Sequence, residues 1–400
     1  MSGVPETRVL AIASHVTHGY VGNTMATFIM QALGCEVSAI NTVNYSNHTA
    51  YKQVKGRKTT AEEITELYEG LKQSYLNRFD VLLSGYMPSA EAVQAVGRIG
   101  RDLRFNAANR PGEFFWVLDP VMGDQGRCYV PEDEVPQYKS LLREADLILP
   151  NQFEAELLSD TKITDLPSLA TTIQTLHRTY HIPHIIITSL RVSPDTGKIQ
   201  PSSSTNPTSL TIIGSTAKSD HSPRLFRIDI PAYPLFFSGT GDMFAALTVA
   251  RLREAVAEAG LLGTKSWQSP DDVAATELPL ARAAEKVLAS MQAVLGKTAQ
   301  HAKAELKRLD EEDERAGLSK DEDGARDREF KRHLRKMREC EVRVVRNVGD
   351  LVEPEGMERF RAQEVFLEGW VGEATGERKG DELGVGMGKE EAVHVETGGE

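Results

Sequence analysis

The chain has 400 residues, of which 40% are hydrophobic and 26% are charged, and its formal net charge at pH 7 is −12. This composition predicts a soluble protein with a sizeable core, and the acidic balance argues against a general nucleic-acid-binding protein. Three widely spaced cysteines give no disulfide framework or zinc motif, and neither a signal-like N-terminus nor an 18-residue apolar run occurs. We therefore expect a protein of the cytoplasm, and also of the nucleus, with no membrane partner.

The first half of the chain alternates short apolar runs with longer helix-forming segments. Strands are predicted at residues 9–13, 36–42, 81–85, 114–118, 145–149 and 184–188, and helices at 24–33, 62–75, 89–103, 152–158 and 168–179. Alternating strands and helices are typical of a mostly parallel sheet that is covered on both faces. The pattern therefore predicts an α/β protein built as an α-β-α sandwich.

The alternation changes after residue 190. A stretch rich in Ser, Thr and Pro at 193–222 carries an apolar run at 210–213 and leads into a second run at 225–230. These two runs predict an antiparallel strand pair joined by a variable turn. Helices are predicted at 239–250 and at 278–307.

The last part of the chain is dominated by charge. Residues 310–336 carry dense charge of mixed sign, which predicts a solvated helix or loop insertion. The alternation at 341–345 predicts a strand that finishes the sheet, and the Gly- and Glu-rich residues 368–400 predict a disordered tail. We expect a single domain over residues 1–367, followed by the tail, and no motif lies in the insertion or in the tail.

The segment Gly239-Thr240-Gly241-Asp242 stands directly before an uninterrupted helical run. The amides in the first turn of a helix are free to bind an anion, and an aspartate there can take a proton from a nearby hydroxyl. This favours a phosphotransfer site. The same four residues also fit a tight turn that ends in an N-cap aspartate, so the rest of the chain has to decide.

Polar residues follow several of the predicted strands, at the edge where a doubly wound sheet has its binding crevice. They are Ser14, Gly85, Asp119, Asn151 and Thr188. Taken singly, Asp119 fits a turn and Asn151 fits an N-cap with Glu154 as its capping-box partner. Together with Asp124, these three residues also offer the oxygen ligands that Mg²⁺ prefers. No GxxxxGK[ST] and no GxGxxG after a strand occurs, which excludes P-loop and dinucleotide-binding folds.

Eight motifs, in the same order along the chain, resemble those of the pyridoxal kinases, a family of the ribokinase-like superfamily. They are Ser14-His15-Val16 with Gly19-Tyr20-Val21-Gly22-Asn23, Tyr45-Ser46-Asn47-His48-Thr49, Ser84-Gly85-Tyr86, Asp119-Pro120-Val121-Met122-Gly123-Asp124, Tyr129-Val130-Pro131-Glu132, Pro150-Asn151-Gln152-Phe153-Glu154, Ile187-Thr188-Ser189 and Gly239-Thr240-Gly241-Asp242. The first two are the most specific to pyridoxal kinases, whereas Gly-Thr-Gly-Asp and Asp-Pro-Val occur across the superfamily.

The resemblance implies a ribokinase-like fold with a central, mostly parallel sheet flanked by helices on both faces. It implies ATP-dependent phosphorylation of the 5′-hydroxymethyl group of pyridoxal, pyridoxine and pyridoxamine, which gives pyridoxal 5′-phosphate and ADP in vitamin B6 salvage. It also implies Mg²⁺ with ATP as co-substrate, a monovalent cation (K⁺ or Na⁺) and a homodimer.

The resemblance further implies a role for each matching residue. Asp242 would be the general base, and the amides of Gly239 to Asp242, including that of Gly241, would form the anion hole. The substrate side would be lined by Ser14, Val21, Thr49, Tyr86, Tyr129 and Asp242, with Tyr129 in a flap over ATP. The nucleotide side would be lined by Asp119, Asn151, Glu154, Thr188, Ser189, Tyr233, Pro234, Leu235, Thr240 and Gly241. The metal ligands would be Asp119, Asp124, Glu154 and Thr188.

Two other functions stay open. One is a kinase for a different hydroxymethyl heterocycle, such as a pyrimidine. The other is a non-catalytic protein that buffers pyridoxal phosphate or scaffolds a partner, although a binding protein has no need of the base at Asp242. His15, His18 and His48 have no carboxylate at a matching spacing, so we interpret them as structural residues rather than as a metal site.

Overall fold

The structure is a computed structural model and describes residues 3–124, 126–193, 196–200, 209–315 and 325–365. The strands are β1 Arg8–Val16, β2 Glu36–Tyr45, β3 Gly56–Lys58, β4 Val81–Ser84, β5 Phe115–Leu118, β6 Gly123–Asp124, β7 Arg127–Cys128, β8 Leu147–Ile148, β9 His184–Val192, β10 Ile199–Gln200, β11 Ser209–Thr216, β12 Leu225–Pro231 and β13 Gln363–Glu364. The helices are α1 Gly22–Ala32, α2 Ala61–Gln73, α3 Ala90–Asn106, α4 Glu134–Leu141, α5 Gln152–Ser159, α6 Leu166–Tyr180, α7 Thr240–Glu258, α8 Pro279–Arg315, α9 Ala325–Glu339 and α10 Val348–Val352.

Most of the strands belong to one large sheet. Its order is β13-β12-β11-β9-β8-β5-β4-β1-β2-β3, with β10 beside β9, while β6 and β7 form a separate ribbon. Neighbouring strands from β9 to β2 in this order are parallel. The strands at both edges pair antiparallel, including β11 with β12 as predicted. The predicted mostly parallel sheet is therefore confirmed.

Strand β1 shows why the centre of this sheet is apolar without interruption. Val9, Leu10, Ala11 and Ile12 are all fully shielded from solvent. Successive side chains of a strand point to opposite faces, and Val9 and Ala11 belong to the core that residues of α1, α7 and α8 share. Leu10 and Ile12 must therefore be covered from the other face, as in a sandwich with helices on both sides.

Side-chain caps fix where several helices begin. Thr60 and Glu63 form a capping box at the start of α2, and Asn151 and Glu154 form another at the start of α5. Each box satisfies backbone N–H groups that the helix leaves without partners. The capping role that the sequence suggested for Asn151 and Glu154 is therefore confirmed, and it fixes α5 directly after the edge of the sheet.

The chain after α9 differs from the prediction. Residues 341–347 form turns rather than a strand, although Val342 and Val344 are buried. The sheet is instead finished by β13, which pairs with β12. The alternation at 341–345 reflects two valines that pack into the core from a turn, and a spacing of two residues cannot distinguish this case from a short strand.

The charged segment agrees with the helical alternative of the prediction. It is helical where it is described, at the end of α8 and over most of α9, while residues 316–324 lie outside the described residues. Nε2 of His333 on α9 donates a hydrogen bond to the carbonyl oxygen of Ala50 at 2.7 Å. Helix α9 therefore contacts the residue that directly follows the motif ending at Thr49.

Two other expectations concern the chain as a whole. The tail predicted at 368–400 lies outside the described residues, so the division into one domain and a tail stays a prediction. Across the part of the chain that the structure describes, no helix has both the length and the apolar character needed to cross a membrane.

Candidate active site

The start of α7 is an open helix end. Gly239, the residue before the helix, has a φ of 79°, in the left-handed region that glycine tolerates. A Cβ atom there would overlap the carbonyl oxygen of Tyr20, so a glycine is needed for space as well as for conformation. Gly239 has no side chain that could cap this helix end, and the Asp242 carboxylate accepts a hydrogen bond from its own backbone N–H. The amides of Thr240 and Gly241 are therefore available to an anion, at the helix start that the sequence predicted.

The carboxylate of Asp242 lies against the first turn of α1. It accepts a hydrogen bond from the backbone N–H of Gly22, and burial raises its pKa to about 6 in spite of that bond. Gly22 has a φ of 52° and lies directly against Ser14, so that a Cβ atom at Gly22 would overlap the Ser14 side chain. Ser14, Gly22 and Asp242 are therefore neighbours, and a base with a raised pKa stands beside a candidate substrate contact.

An irregularity in the sheet lies at Ser14. The register of β1 with β2 shifts between Ala13 and His15, so Ser14 sits at a bulge. Bulges next to active sites change the direction in which a side chain points. Val21 is also close to the anion site, because a Cβ atom at Gly239 would lie 3.2 Å from the Cα atom of Val21. Both predicted substrate contacts therefore lie near the start of α7.

Asp119 and Glu154 form a buried acidic pair near Asp242. Asp119 directly follows β5, and burial and the charges of Glu154 and Asp242 hold its pKa well above its usual range. Its side chain makes no hydrogen bond to any described residue. Gly241 faces it, since a Cβ atom at Gly241 would lie 3.9 Å from Asp119 Oδ2. The open helix end and the carboxylate of Asp119 therefore border the same space.

Glu154 differs from Asp119 because backbone groups hold its carboxylate. Oε1 accepts hydrogen bonds from the N–H of Met122 at 2.9 Å and of Gly123 at 3.3 Å, and Oε2 accepts one from Asn151 at 2.9 Å. Burial raises the pKa of Glu154 to about 7, although these bonds lower it. The neighbouring charge of Asp124 contributes to the increase. A carboxylate held in this way is fixed in orientation.

Thr188 and Ser189 lie at a second irregularity of the sheet. The register of β9 with β11 shifts at this point, and Ser189 has a φ of 60°, which is rare for a residue other than glycine. Thr188 forms an isolated parallel bridge with Asn151, and its N–H donates to the carbonyl oxygen of Pro150 at 3.0 Å. Thr188 and Asn151 are therefore brought together, as the position after two parallel strands predicted.

The other predicted substrate contacts surround this region. Thr49 is exposed and begins a 3₁₀ turn, Thr49–Tyr51. Tyr86 is half-buried, and its carbonyl oxygen accepts a hydrogen bond from Thr42 Oγ1 at 2.7 Å. Tyr129 is 62% exposed, while the charges of Asp124 and Glu154 are close enough to contribute, after burial, to a raised pKa of its phenol. An exposed aromatic ring next to the acidic pair fits the predicted flap.

The segment Tyr233-Pro234-Leu235 is not linked to the acidic pair by any contact among the described residues. The hydroxyl of Tyr233 donates to the carbonyl oxygen of Gln292 in α8 at 3.2 Å, and its ring meets that of Phe237 edge to face. Pro234 is exposed and Leu235 is half-buried. These three residues are therefore less closely connected to the other nucleotide-side residues than those residues are to one another.

The arrangement fits a cation that arrives with its own ligands. Among the described residues, no three His, Cys, Asp or Glu side chains form a complete metal cage. Burial nevertheless raises the pKa values of Asp119, Glu154 and Asp242, and the charges of Glu154 and Asp242 raise that of Asp119 further, so the three carboxylates lie close together. Mg²⁺ is commonly held by one or two carboxylates, water and substrate phosphates. The donor set therefore suits Mg²⁺ together with a nucleotide.

Several residues at the site were not singled out from the sequence. The amide of Gly22 binds Asp242, and Ser238 Oγ lies 3.2 Å from His48 Nδ1. Glu341 is 2.9 Å from both His48 Nε2 and the Tyr51 hydroxyl. Gly22 and His48 belong to motifs that the sequence did show, whereas Glu341 lay in a segment that was predicted to be a strand.

Comparisons with known proteins agree with this geometry. A sequence model of the family described as phosphomethylpyrimidine kinase matches residues 29–259. Human pyridoxal kinase is 38% identical over 257 residues, which cover 61% of this chain and 77% of the human protein. A solved structure of pyridoxal kinase from Leishmania donovani, in complex with ADP and pyridoxamine, is similar with a TM-score of 0.65 and 29% identity, and the match covers 89% of this chain and 98% of that one. For pyridoxal kinase from Trypanosoma brucei the values are 0.63 and 26%, over 90% and 98% of the two chains.

Proposed function

The chain belongs to the pyridoxal kinase family of the ribokinase-like superfamily, and from this premise we propose that Asp242 is the general base of its reaction. The protein is a kinase that phosphorylates B6 vitamers with ATP. The acceptor is the 5′-hydroxymethyl group of pyridoxal, pyridoxine or pyridoxamine, and the products from pyridoxal are pyridoxal 5′-phosphate and ADP.

The observation that carries the proposal is the position of Asp242. Its carboxylate accepts a hydrogen bond from Gly22, which lies against Ser14, and Gly241 in the open end of the same helix faces Asp119. With a pKa of about 6, it is mostly ionised at neutral pH and is a stronger base than an ordinary aspartate. To take the proton of a hydroxyl as its oxygen attacks phosphorus, a base must be ionised and must lie between the substrate side and the phosphoryl side of the site.

The open helix end supplies the second element of the mechanism. The free amides of Thr240 and Gly241 at the start of α7 would stabilise the charge that develops on the transferring phosphoryl group. They belong to a helix that continues to Glu258, so its dipole adds to their effect. The proton moves to Asp242 and the phosphoryl charge is held by the amides, so the two functions stay separate within one helical turn.

We further propose the residues that hold the cation and the nucleotide. When bound, Mg²⁺ neutralises charge on the phosphates. The proposed ligands, direct or through water, are Asp119, Asp124, Glu154 and Thr188. A monovalent cation, K⁺ or Na⁺, would sit near Asp119 and Thr188. The remaining nucleotide contacts would come from Asn151, Ser189, Thr240, Gly241 and the segment Tyr233-Pro234-Leu235.

On the substrate side, we propose that the hydrogen-bonding and packing contacts divide between two groups. Ser14 and Thr49 would bond the substituents of the pyridine ring, and Val21 and Tyr86 would pack beside it. Tyr129 would close over ATP and exclude water. We also propose that the protein is a homodimer, as the resemblance implies, and that it is found in the cytoplasm and nucleus.

Replacing Asp242 with asparagine tests the proposal. The Asp242→Asn variant should keep its fold and its affinity for Mg-ADP, because the amide has nearly the same shape. Its kcat with pyridoxal should fall by roughly 100- to 10,000-fold, since general base catalysis contributes that much. Steady-state kinetics and isothermal titration with Mg-ADP measure the two quantities. A variant that retains most of its kcat would show that Asp242 is not the base.

The same assay separates the pyridoxal reaction from that of a pyrimidine. Wild-type kcat/KM should be higher for pyridoxal than for a hydroxymethylpyrimidine, since the two alcohols differ in the ring substituents that Ser14 and Thr49 would contact. A preference for the pyrimidine would reassign the substrate while leaving the base unchanged.

A further inference from the structure

Glu341 joins two loops that each carry a residue of the proposed site. His48 Nε2 and the Tyr51 hydroxyl both donate to Oε1 of Glu341 at 2.9 Å. The backbone N–H of Tyr20 also donates to this carboxylate. Glu341 follows α9 and is 293 residues away from His48 in the chain. One carboxylate therefore connects the end of the fold to two loops near its beginning.

The carboxylate is packed tightly against the first of these loops. A Cβ atom at Gly19 would lie 2.8 Å from each carboxylate oxygen of Glu341, and the Glu341 side chain is only 14% exposed. Burial by itself would raise the pKa of Glu341, but the hydrogen bonds from His48, Tyr51 and Tyr20 lower it overall. Glu341 is therefore ionised at neutral pH, and its oxygens can only accept hydrogen bonds.

This fixes the proton on His48. Because Glu341 can only accept, Nε2 of His48 carries a proton, which sets the orientation of the ring. Nδ1 on the other side of the ring forms a hydrogen bond with Ser238 Oγ at 3.2 Å. The ring is buried, with 8% of its residue surface exposed. The Ser238 side chain is thereby held from the far end of the chain, through an oriented imidazole.

Each of the connected segments leads directly into the site. Ser238 precedes Gly239, and the carbonyl oxygen of Tyr20 lies against Gly239. Tyr20 also precedes Val21, while His48 precedes Thr49. The contacts of Glu341 therefore reach both the turn that opens the anion hole and the two loops that border the substrate side.

We infer that Glu341 is a positioning residue of the phosphotransfer reaction, which acts through His48 on Ser238 and directly on Tyr20 and Tyr51. It fixes the anion-hole turn relative to the vitamer loops and touches neither substrate. The inference rests on the proposed function, since it assigns these loops to the vitamer and the turn to the phosphoryl group.

Glu341→Ala and Ser238→Ala test the two ends of this connection. Ser238→Ala removes a single hydroxyl from a half-buried residue, so it keeps the test available if Glu341→Ala does not fold. The matched control is Glu339→Ala, because Glu339 is a glutamate of similar burial that pairs with Arg338 and His301 instead of with the two loops. The measurements are kcat and KM for pyridoxal at saturating Mg-ATP, and the Kd of Mg-ADP by titration.

We expect kcat/KM for pyridoxal to fall roughly 10- to 100-fold in Glu341→Ala, as small misplacements of reacting groups do. Ser238→Ala should lose about 3- to 10-fold, as one neutral hydrogen bond allows. The Kd of Mg-ADP should stay within about 2-fold of the wild type in both variants, and the double variant should lose less than the product of the two losses.

Three results would overturn the inference: a kcat/KM of Glu341→Ala equal to that of Glu339→Ala, an unchanged kcat/KM in Ser238→Ala, or losses that simply multiply in the double variant. If Glu341→Ala weakens Mg-ADP binding in parallel with turnover, the role is general folding support and the inference also fails. A failure of the proposed function can be distinguished from these results, because the wild-type protein itself would then not turn over pyridoxal.

Discussion

At Gly239 the chain needs both a left-handed backbone and empty space. Gly239→Ala should therefore lower kcat with pyridoxal by about 100-fold or more, because the amides that follow would be displaced from the phosphoryl group. Gly260→Ala is the matched control, since Gly260 also has a positive φ, of 70°, but has open space around it. Both variants carry backbone strain, and only the first crowds Tyr20. Equal activities in the two variants would show that the turn has no role in catalysis.

Asp242 should also set the acid limb of the pH profile. Its raised pKa means that the base is protonated below about pH 6, and a protonated carboxyl cannot accept the hydroxyl proton. The kcat/KM for pyridoxal should therefore decrease about tenfold per pH unit below this point and level off above it. Measurements from pH 5 to 8 test this, with the residual activity of Asp242→Asn as the control, which should lack the limb. An unchanged limb in that variant would assign it to another group.

Among the helices, α9 provides an unexpected support for the substrate side. Its His333 donates to the carbonyl oxygen of Ala50, inside the 3₁₀ turn that begins with Thr49. We predict that His333→Ala raises KM for pyridoxal about 3- to 10-fold through loss of one hydrogen bond, with little change in the Kd of Mg-ADP. Lys331→Ala, on the same helix, is the control, because its ion pair with Asp327 is exposed and contributes little. Equal KM values for the two variants would contradict the support role.

The elements that could be predicted from the sequence are those with strong local signals. The parallel strands of the centre are apolar without interruption, and Asn151 with Glu154 is a capping box at the level of sequence. Short edge strands such as Gln363–Glu364 have no such signal, because both residues are exposed and their pairing depends on β12. Val342 and Val344 gave the opposite error. They were predicted to belong to a strand, because their spacing is that of buried residues in a strand although they are buried without forming one.

The residues of the candidate site also divide into those that have a local sequence signal and those that have none. Asp119 and Asn151 could be placed at one edge because parallel strands end there, and Asp242 because a helix begins beside it. Ser14 could be placed near the same edge, although β1 continues past it to Val16. The link from Glu341 to His48 could not be found in this way, since no local pattern connects residues that are 293 positions apart. His48 was interpreted as a structural histidine for want of a nearby carboxylate in the sequence, and the fold supplies that carboxylate.

For the whole molecule, we predict that the tail contributes nothing to turnover. Removing the residues after Glu368 should leave kcat and KM for pyridoxal within about 2-fold of the full chain, because a segment rich in Gly and Glu has little apolar surface to bury against the kinase. Kinetics of the full and shortened chains measure this. A loss of activity on truncation would give the tail a role that its composition does not suggest.

The place of Glu341 near the end of the chain also matters for how the enzyme is made. Glu341 is 99 residues beyond Asp242. At about 5–20 residues per second, a ribosome takes roughly 5 to 20 s to cover that distance. During this interval the nascent chain already contains the Gly239 turn and its base but lacks the carboxylate that joins the turn to the vitamer loops. A polypeptide that is released before Glu341 is added therefore lacks this connection, and its kcat/KM for pyridoxal should be at least as low as that of Glu341→Ala.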